Sequence, residues 1–350
     1  MNKLISTKAY AAQSPSTPLA PFEFARRNPN PSDVLIEIAY CGICHSDIHT
    51  ARGEWGPTHY PCVPGHEIVG RVLQVGKKVK KFKVGDVVGV GCFVDSCGKC
   101  SSCKSNEEQF CENHTVFTYN STELDGKTQT FGGYSTHITV KEKYVLKIKK
   151  GQPLDRIAPL LCAGITTYSP LKRYGIKKGK KVGVVGLGGL GHMAVKIAKA
   201  MGAEVVVFST SPSKESDAKK LGAKYFVISK EIGNFAKWRG QLDLIIDTVS
   251  VPHDFTPYLG TLKIDGTQVL VGVAPEPNEV TASALIFGRK KLAGSLIGGI
   301  KETQEMLDFC AKKKVFADIE LIDASQINDA YERTVKSDVK YRFVIDAKTF

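Results

Sequence analysis

Between Lys180 and Gly202 the chain reads KKVGVVGLGGLGHMAVKIAKAMG: a β-branched apolar run, a turn of glycines, then apolar residues at helical spacing. The turn Gly186-Leu187-Gly188-Gly189-Leu190-Gly191 is GxGxxG placed where a strand meets a helix. Glycines there permit a tight turn, a close approach of the backbone to a pyrophosphate, and a helix that sits low on the sheet with its free N–H groups toward the anion. Alone such a turn is a weak signal, and the segments after it supply the context. EVVVFS, a helical stretch from Lys214 to Leu221, KYFVIS, LDLIIDTV (242 to 249), QVLVG (268 to 272) and LAGSLIG (292 to 298) alternate strand with helix. That alternation implies a parallel, doubly wound α/β sheet that binds a dinucleotide.

The first 150 residues have a different texture. VLIEIAY (34 to 40), IVGRVLQVG (68 to 76) and VGDVVGVG (84 to 91) are short apolar runs between glycine turns, which predicts an irregular β-rich domain. After the nucleotide-binding stretch, ETQEMLDFCAKKKV has the pattern of an amphipathic helix and YRFVIDA (341 to 347) that of a last strand. A chain of 350 residues exceeds the usual ~100 to 200 per domain. The simplest architecture is a β-rich domain interrupted by an inserted nucleotide-binding domain, with the C-terminal segment returning to the first.

The formal charge of +13, from 48 Lys and Arg against 35 Asp and Glu, raises the question of nucleic acid. The basic residues are scattered in short runs, such as Lys77-Lys78 and Lys312 to Lys314, without interleaved aromatic platforms, so no nucleic-acid partner is expected. No stretch approaches the ~20 apolar residues of a membrane span, and MNKLISTKAYAAQSP has no export-type apolar core, so a cytoplasmic protein with no membrane partner is expected. In a reducing compartment, clustered cysteines more often bind metal than form disulfides.

Cys97, Cys100, Cys103 and Cys111 form such a cluster, CxxCxxCx7C. Four thiolates from one loop close a tetrahedral shell around a structural zinc. An iron–sulfur cluster is the rival, disfavoured because the fourth cysteine stands too far from the others. Elsewhere, Cys44 in CGICHSDIH, His66 in PGHEIVG and Cys162 in LLCAGITTYSPL are of ligand type but have no diagnostic spacing. Two thiolates and an imidazole suit zinc and would leave a fourth position open for chemistry.

The second strand of the nucleotide-binding stretch ends without the carboxylate that would hold the adenosine ribose of NAD. Ser209, Thr210 and Ser211 stand there, followed by Lys214, and offer donors and a positive charge to a 2′-phosphate. NADP(H) is therefore favoured over NAD(H), with a Ser/Thr turn capping the next helix as the bland alternative.

GICHSDIH, PGHEIVG, the four-cysteine loop, LLCAGITTYSPL and VGVVGLGGLGHMAVKIAKAMGA, in this order along nearly the whole chain, resemble the zinc-dependent medium-chain alcohol dehydrogenases. The resemblance is strongest to the cinnamyl alcohol dehydrogenase branch with its bacterial broad-specificity aldehyde reductases. It implies a GroES-like catalytic zinc domain over 1–163 and 298–350, and a Rossmann domain over 164–297 that closes on it. It also implies two Zn2+ ions, one structural and one catalytic, the latter held by Cys44, His66 and Cys162. Glu67 matches a carboxylate that stands near the metal. Asp47 would accept from the far nitrogen of His66, unless it only caps a helix start. Ser46 and His49 match a proton path that runs through the cofactor ribose. Thr166, Val249, Val273 and Ser295 would line the nicotinamide, and Trp55 and Phe117 the substrate pocket, ordinary core packing being the alternative for both aromatics. Phe117 stands where cinnamyl-type relatives have Trp, which leaves room for varied aldehydes. Relatives also suggest a homodimer, with a tetramer as the alternative.

The expected activity is thus NADP(H)-linked interconversion of primary alcohols and aldehydes, mainly as aldehyde reduction. The rivals are an NAD-linked polyol dehydrogenase, a zinc-free enone reductase and a non-enzymatic zinc-loop interaction module. Cys41, Cys62, Cys92 and Cys310 are expected as packed thiols. His59, His114, His137, His192 and His253 have no argued ligand role.

Overall fold

The computed structural model describes residues 4–350, which form two compact units, 4–162 with 298–350 and 163–297. The first is built on a seven-stranded sheet whose centre is Asp33–Gly42. This strand alternates poorly because it is covered on both faces: seven of its ten residues are buried. It pairs antiparallel with Ile68–Val75, with His137–Lys141 and with Arg342–Asp346. The last pairing, Val344 opposite Gly42 and Ile345 opposite Cys41, is how the C-terminal segment completes this sheet. Ile319–Ile322 flanks that strand on its other side, and Val87–Val90 with Leu146–Lys147 ends the sheet beyond Ile68–Val75. Two small antiparallel pairs stand apart, Ile5–Ala11 with Ala20–Arg26 and Phe93–Ser96 with Thr115–Phe117. The helix Ile300–Lys313 follows the return into this unit.

The second unit opens with α1 (Ala163–Arg173) and continues through β1 (Lys181–Val185), α2 (Gly189–Ala200), β2 (Glu204–Ser209), α3 (Glu215–Leu221) and β3 (Tyr225–Ile228). Then come β4 (Leu242–Asp247), α4 (Thr256–Thr261), β5 (Leu262–Leu270), α5 (Ala282–Ile286) and β6 (Lys291–Gly294). The sheet is parallel throughout, in the order 3-2-1-4-5-6, and its direction of winding reverses between β1 and β4. Its interior on one side is aromatic: Phe208, Phe235 and Tyr258 meet with ring centroids 5.1 to 5.5 Å apart. Burial of rings of this size dominates the energetics of such a core.

Two strands are shorter than the apolar runs suggest. LDLIIDTV stops being strand after Asp247, and Thr248 donates both its backbone N–H (3.0 Å) and its hydroxyl (2.8 Å) to the Val185 carbonyl. LAGSLIG is strand only to Gly294, and Ile297 sits at a left-handed φ of 35°, which no extended strand contains.

Candidate metal centres and dinucleotide turn

Cys44, His66 and Cys162 reach one place by three routes. Cys44 follows the end of the central strand and precedes the helix His45–Ala51, which carries Ser46, Asp47 and His49. His66 and Glu67 immediately precede Ile68–Val75, whose first residue pairs with Cys41. Cys162 follows the one-turn helix Ala158–Leu161. One ligand atom from each of Cys44, His66, Glu67 and Cys162 falls within 4.8 Å of all the others, and all four residues are buried.

The donor chemistry fits a divalent cation. Cys44 and Cys162 stand 3.9 Å apart, sulfur to sulfur, close to the ~3.8 Å that two ~2.3 Å zinc–sulfur bonds subtend in a tetrahedron. Hydrogen bonding to Cys162 holds the Cys44 thiol well below its usual range, and the same bond lifts Cys162 well above it: two thiols share one proton where a cation would take its place. The His66 Nδ1 lies 3.1 Å from Asp47 Oδ1, which leaves Nε2 for the metal. Glu67 pairs through Oε1 with the buried Arg342, while its Oε2 is buried with no hydrogen-bond partner among the described residues. Burial pushes the Glu67 carboxyl up, and the Arg342 guanidinium beside it pulls the other way. A Cβ on Gly42 would stand 1.9 Å from Oε2, so the space that Glu67 occupies depends on that glycine.

The four cysteines of the loop form the second group, their sulfurs also within 4.8 Å of one another. The Cys97 and Cys103 sulfurs, and those of Cys100 and Cys111, are 3.9 Å apart. Backbone N–H groups point at them, that of Cys100 at Cys97 and that of Cys97 at Cys111, each 3.4 Å away. The N–H groups of Lys99 and Cys100 and the Asn113 amide hold the Cys97 thiol down to about 6, a thiolate at neutral pH and hence a ready ligand.

In the second unit the glycine turn joins β1 to α2. Gly186 has φ 86°, and a Cβ on Gly191 would lie 2.2 Å from the Gly186 carbonyl oxygen, so both positions exclude any side chain. Val249, Val273 and Ser295 follow the C-terminal ends of β4, β5 and β6, the edge from which the turn also rises, and Thr166 is buried in α1. Ser209 is buried at the end of β2, Thr210 is exposed and Ser211 half-buried. Lys214 is half-buried and donates from Nζ to the Leu187 carbonyl inside the glycine turn (3.1 Å).

Several contacts were not foreseen. His49 Nδ1 meets Glu54 Oε2 at 2.5 Å, and the Trp55 ring stacks on the imidazole at 4.8 Å and 19°. Trp55 and Phe117 are 48% and 43% exposed, so neither is core. Cys92 is more than a packed thiol: it donates to the Leu161 carbonyl oxygen at 3.8 Å, and the neighbouring Cys162 draws it below the usual thiol range. Arg342 is separated from Glu67 by 275 residues and left no local signal, whereas Glu54 could have been found as the one carboxylate within six residues of His49 on its C-terminal side.

Known proteins resemble this chain along nearly its whole length. Residues 30–150 match the alcohol dehydrogenase GroES-like domain and residues 189–312 the zinc-binding dehydrogenase domain. The chain is 54% identical to the aldehyde reductase YahK of Escherichia coli, covering 98% of each chain. It is 54% identical to NADP-dependent alcohol dehydrogenase C 1 of Mycolicibacterium smegmatis, over 97% of this chain and 98% of the relative. A cinnamyl alcohol dehydrogenase structure from Sorghum bicolor superposes with a TM-score of 0.95 at 46% identity, covering 98% of each chain. Fold and donor sets together define a zinc-binding dehydrogenase. The chain belongs to the zinc-dependent medium-chain alcohol dehydrogenases, in the branch that holds the cinnamyl alcohol dehydrogenases and bacterial aldehyde reductases. Among the described residues no helix is long and apolar enough to cross a membrane.

Proposed function

We propose that the chain is an NADP(H)-dependent zinc oxidoreductase that interconverts primary alcohols and aldehydes, acting mainly as a broad-specificity aldehyde reductase in the cytoplasm. The observation that carries this reading is the convergence of two thiols, an imidazole and a carboxylate oxygen within 4.8 Å, together with a separate set of four thiols in the same unit. The names of the relatives, aldehyde reductase and NADP-dependent alcohol dehydrogenase, point the same way.

Cys44, His66 and Cys162 hold the catalytic zinc, with Glu67 beside it. Cys97, Cys100, Cys103 and Cys111 hold the structural one. The glycine turn binds the pyrophosphate, and Ser209, Thr210, Ser211 and Lys214 receive the 2′-phosphate. When bound, zinc polarises the carbonyl and NADPH supplies the hydride. The chain's own part is to fix the ligands and manage the proton. Asp47 sets the His66 ring, the backbone of Gly65 before it and the backbone of Cys44. Ser46 donates a proton to the oxygen of the forming alcohol, and His49 restores it, its Nδ1 engaged by Glu54 so that Nε2 exchanges with water. Trp55 and Phe117 present partly exposed aromatic surface to an apolar substrate.

A homodimer belongs to the same proposal. The strand β6 ends the six-stranded sheet, and Ile264 in the adjoining strand β5 with Ile286 and Phe287 just before β6 are exposed apolar residues that pairing of two such edges would cover. Light scattering would report the mass. The deciding assay is a panel of aldehydes and alcohols with NADPH, NADP, NADH and NAD, together with zinc analysis. Two zincs per chain and faster aldehyde reduction with NADPH are expected; no carbonyl reduction with either reduced cofactor would end the proposal.

A further inference from the structure

His253 lies outside both donor sets and outside the glycine turn, yet it is fastened on three sides. Its Nε2 is 2.9 Å from Asp247 Oδ2, its Nδ1 2.9 Å from the Val251 carbonyl oxygen, and its backbone N–H donates to Asn278 Oδ1 at 3.0 Å. Both ring nitrogens thus face acceptors. A neutral imidazole carries one N–H and would set a lone pair against one of those oxygens, whereas the imidazolium donates to both. Asp247 itself is buried at the end of β4, where it also accepts from Gln268 Nε2 (2.8 Å) and the Val249 N–H (3.1 Å). The other groups around the ring are Asp254 in the same loop, the edges of Phe255 and Tyr258 at the head of α4, and the Asn278 amide from the loop after β5. Burial lowers the affinity of His253 for its proton, but the bond and charge of Asp247 outweigh it and the net direction is upward.

The loop so pinned bears directly on the glycine turn. The Thr248 hydroxyl donates to the Val185 carbonyl at 2.8 Å and its backbone N–H to the same oxygen at 3.0 Å. A Cβ on Gly186 would stand 2.9 Å from Thr248 Oγ1 and 3.2 Å from Val249 Cγ2. With no slack between loop and turn, a shift of either displaces the other.

We propose that His253, as an imidazolium bridging Asp247 and the Val251 carbonyl, is a positioning residue that locks Thr248 and Val249 against the Gly186 turn and so makes cofactor affinity depend on its protonation. This rests on the reading of the glycine turn as the NADP(H) site. Below the pKa of His253 the latch is closed. As the pH rises through it, one hydrogen bond and the positive charge that faces the Asp247 carboxylate are lost together, and NADPH binding weakens.

The test is fluorescence titration of NADPH on the purified, zinc-loaded protein from about pH 5.5 to about pH 9, for the parent and His253→Gln. Glutamine keeps a side-chain donor but carries no titratable charge. The variant should bind NADPH roughly tenfold more weakly at the acid end, and the ratio to the parent should shrink toward one at the alkaline end. Titration of the ligand's own 2′-phosphate is common to both proteins and cancels in that ratio. KM for NADPH should rise while KM for the aldehyde stays put. A ratio that is flat with pH, or equal to one throughout, overturns the proposal. If the variant folds poorly, NMR of the parent's histidines decides instead: linkage requires saturating NADPH to raise the pKa of His253, and an unchanged value refutes the latch. Gly191→Ala separates the two readings. Parental NADPH affinity in that variant removes the turn assignment and the latch with it, whereas loss of binding there, with His253→Gln behaving as the parent, removes the latch alone.

Discussion

The Asp47 carboxylate and the His66 imidazole meet at 3.1 Å, Oδ1 to Nδ1, with Asp47 fully buried. The same carboxylate accepts the backbone N–H of Gly65 (3.0 Å), the backbone N–H of Cys44 (2.9 Å) and the Tyr134 hydroxyl (3.0 Å). One side chain therefore sets the position of two ligand-bearing segments and the tautomer of the imidazole, so the helix-capping role and the ligand-orienting role are the same set of bonds.

Asp47→Asn removes the charge that raises the basicity of His66 and replaces one acceptor oxygen with a donor. Zinc at the Cys44 set should be held roughly 10- to 100-fold more weakly. Competition with a chromogenic chelator would read this directly, and the four-cysteine zinc should stay in place as an internal control. Equal retention of both ions by the variant would show that Asp47 does not orient the site.

Ser46→Ala should lower kcat roughly 100-fold or more with zinc content and NADPH affinity unchanged, because the change removes a proton carrier and no ligand. His49→Ala should fall in the same direction. Glu54→Gln should cost less, since it weakens the hold on Nδ1 without removing the exchanging nitrogen. Steady-state kinetics with zinc analysis checks all three, and a Ser46→Ala enzyme at the parental rate would rule out the proton path.

What was legible in the sequence is what lies within one short segment. The glycine turn and the four-cysteine loop bring their working atoms together by local chain geometry, so residue type and spacing carried the reading. The Cys44, His66 and Cys162 set was legible only through resemblance, since its members are joined by strand pairing and by a turn, Cys44 and Cys162 being 118 residues apart. Arg342 reaches Glu67 because Val344 pairs with Gly42 at the centre of the sheet, and Asp247 reaches His253 and Gln268 across a loop and a neighbouring strand. Such contacts depend on register, which hydrophobic pattern constrains without naming the partners.

Loss of the structural ion should be felt as stability. Cys111 closes the set from outside the short helix Ser101–Lys104, and Cys111→Ser leaves three thiolates for a site that needs four. The purified variant should carry one zinc per chain instead of two and melt at a clearly lower temperature, with the remaining zinc at the Cys44 set. Elemental analysis and a thermal melt would check this, and an unchanged melting temperature at one zinc per chain would mean that the loop does not depend on its ion.

Coenzyme choice tests the end of β2. Burial lowers the pKa of the Lys214 ammonium, which donates to the Leu187 carbonyl in the glycine turn at 3.1 Å. A neutral carbonyl compensates a half-buried cation only in part, so a dianionic phosphate placed there gains a charge-assisted bond that a ribose hydroxyl does not. Lys214→Ala should raise KM for NADPH by roughly 10- to 100-fold, the range of a bond worth about 1.5 to 3 kcal/mol, and leave KM for NADH nearly unchanged. Installing Asp at Ser209 should go further and invert the preference, because the carboxylate repels the phosphate and offers acceptors to the ribose hydroxyls. Parallel kinetics with both reduced cofactors would decide the matter: equal losses for NADPH and NADH in Lys214→Ala would mean that the lysine braces the turn and does not recognise the 2′-phosphate.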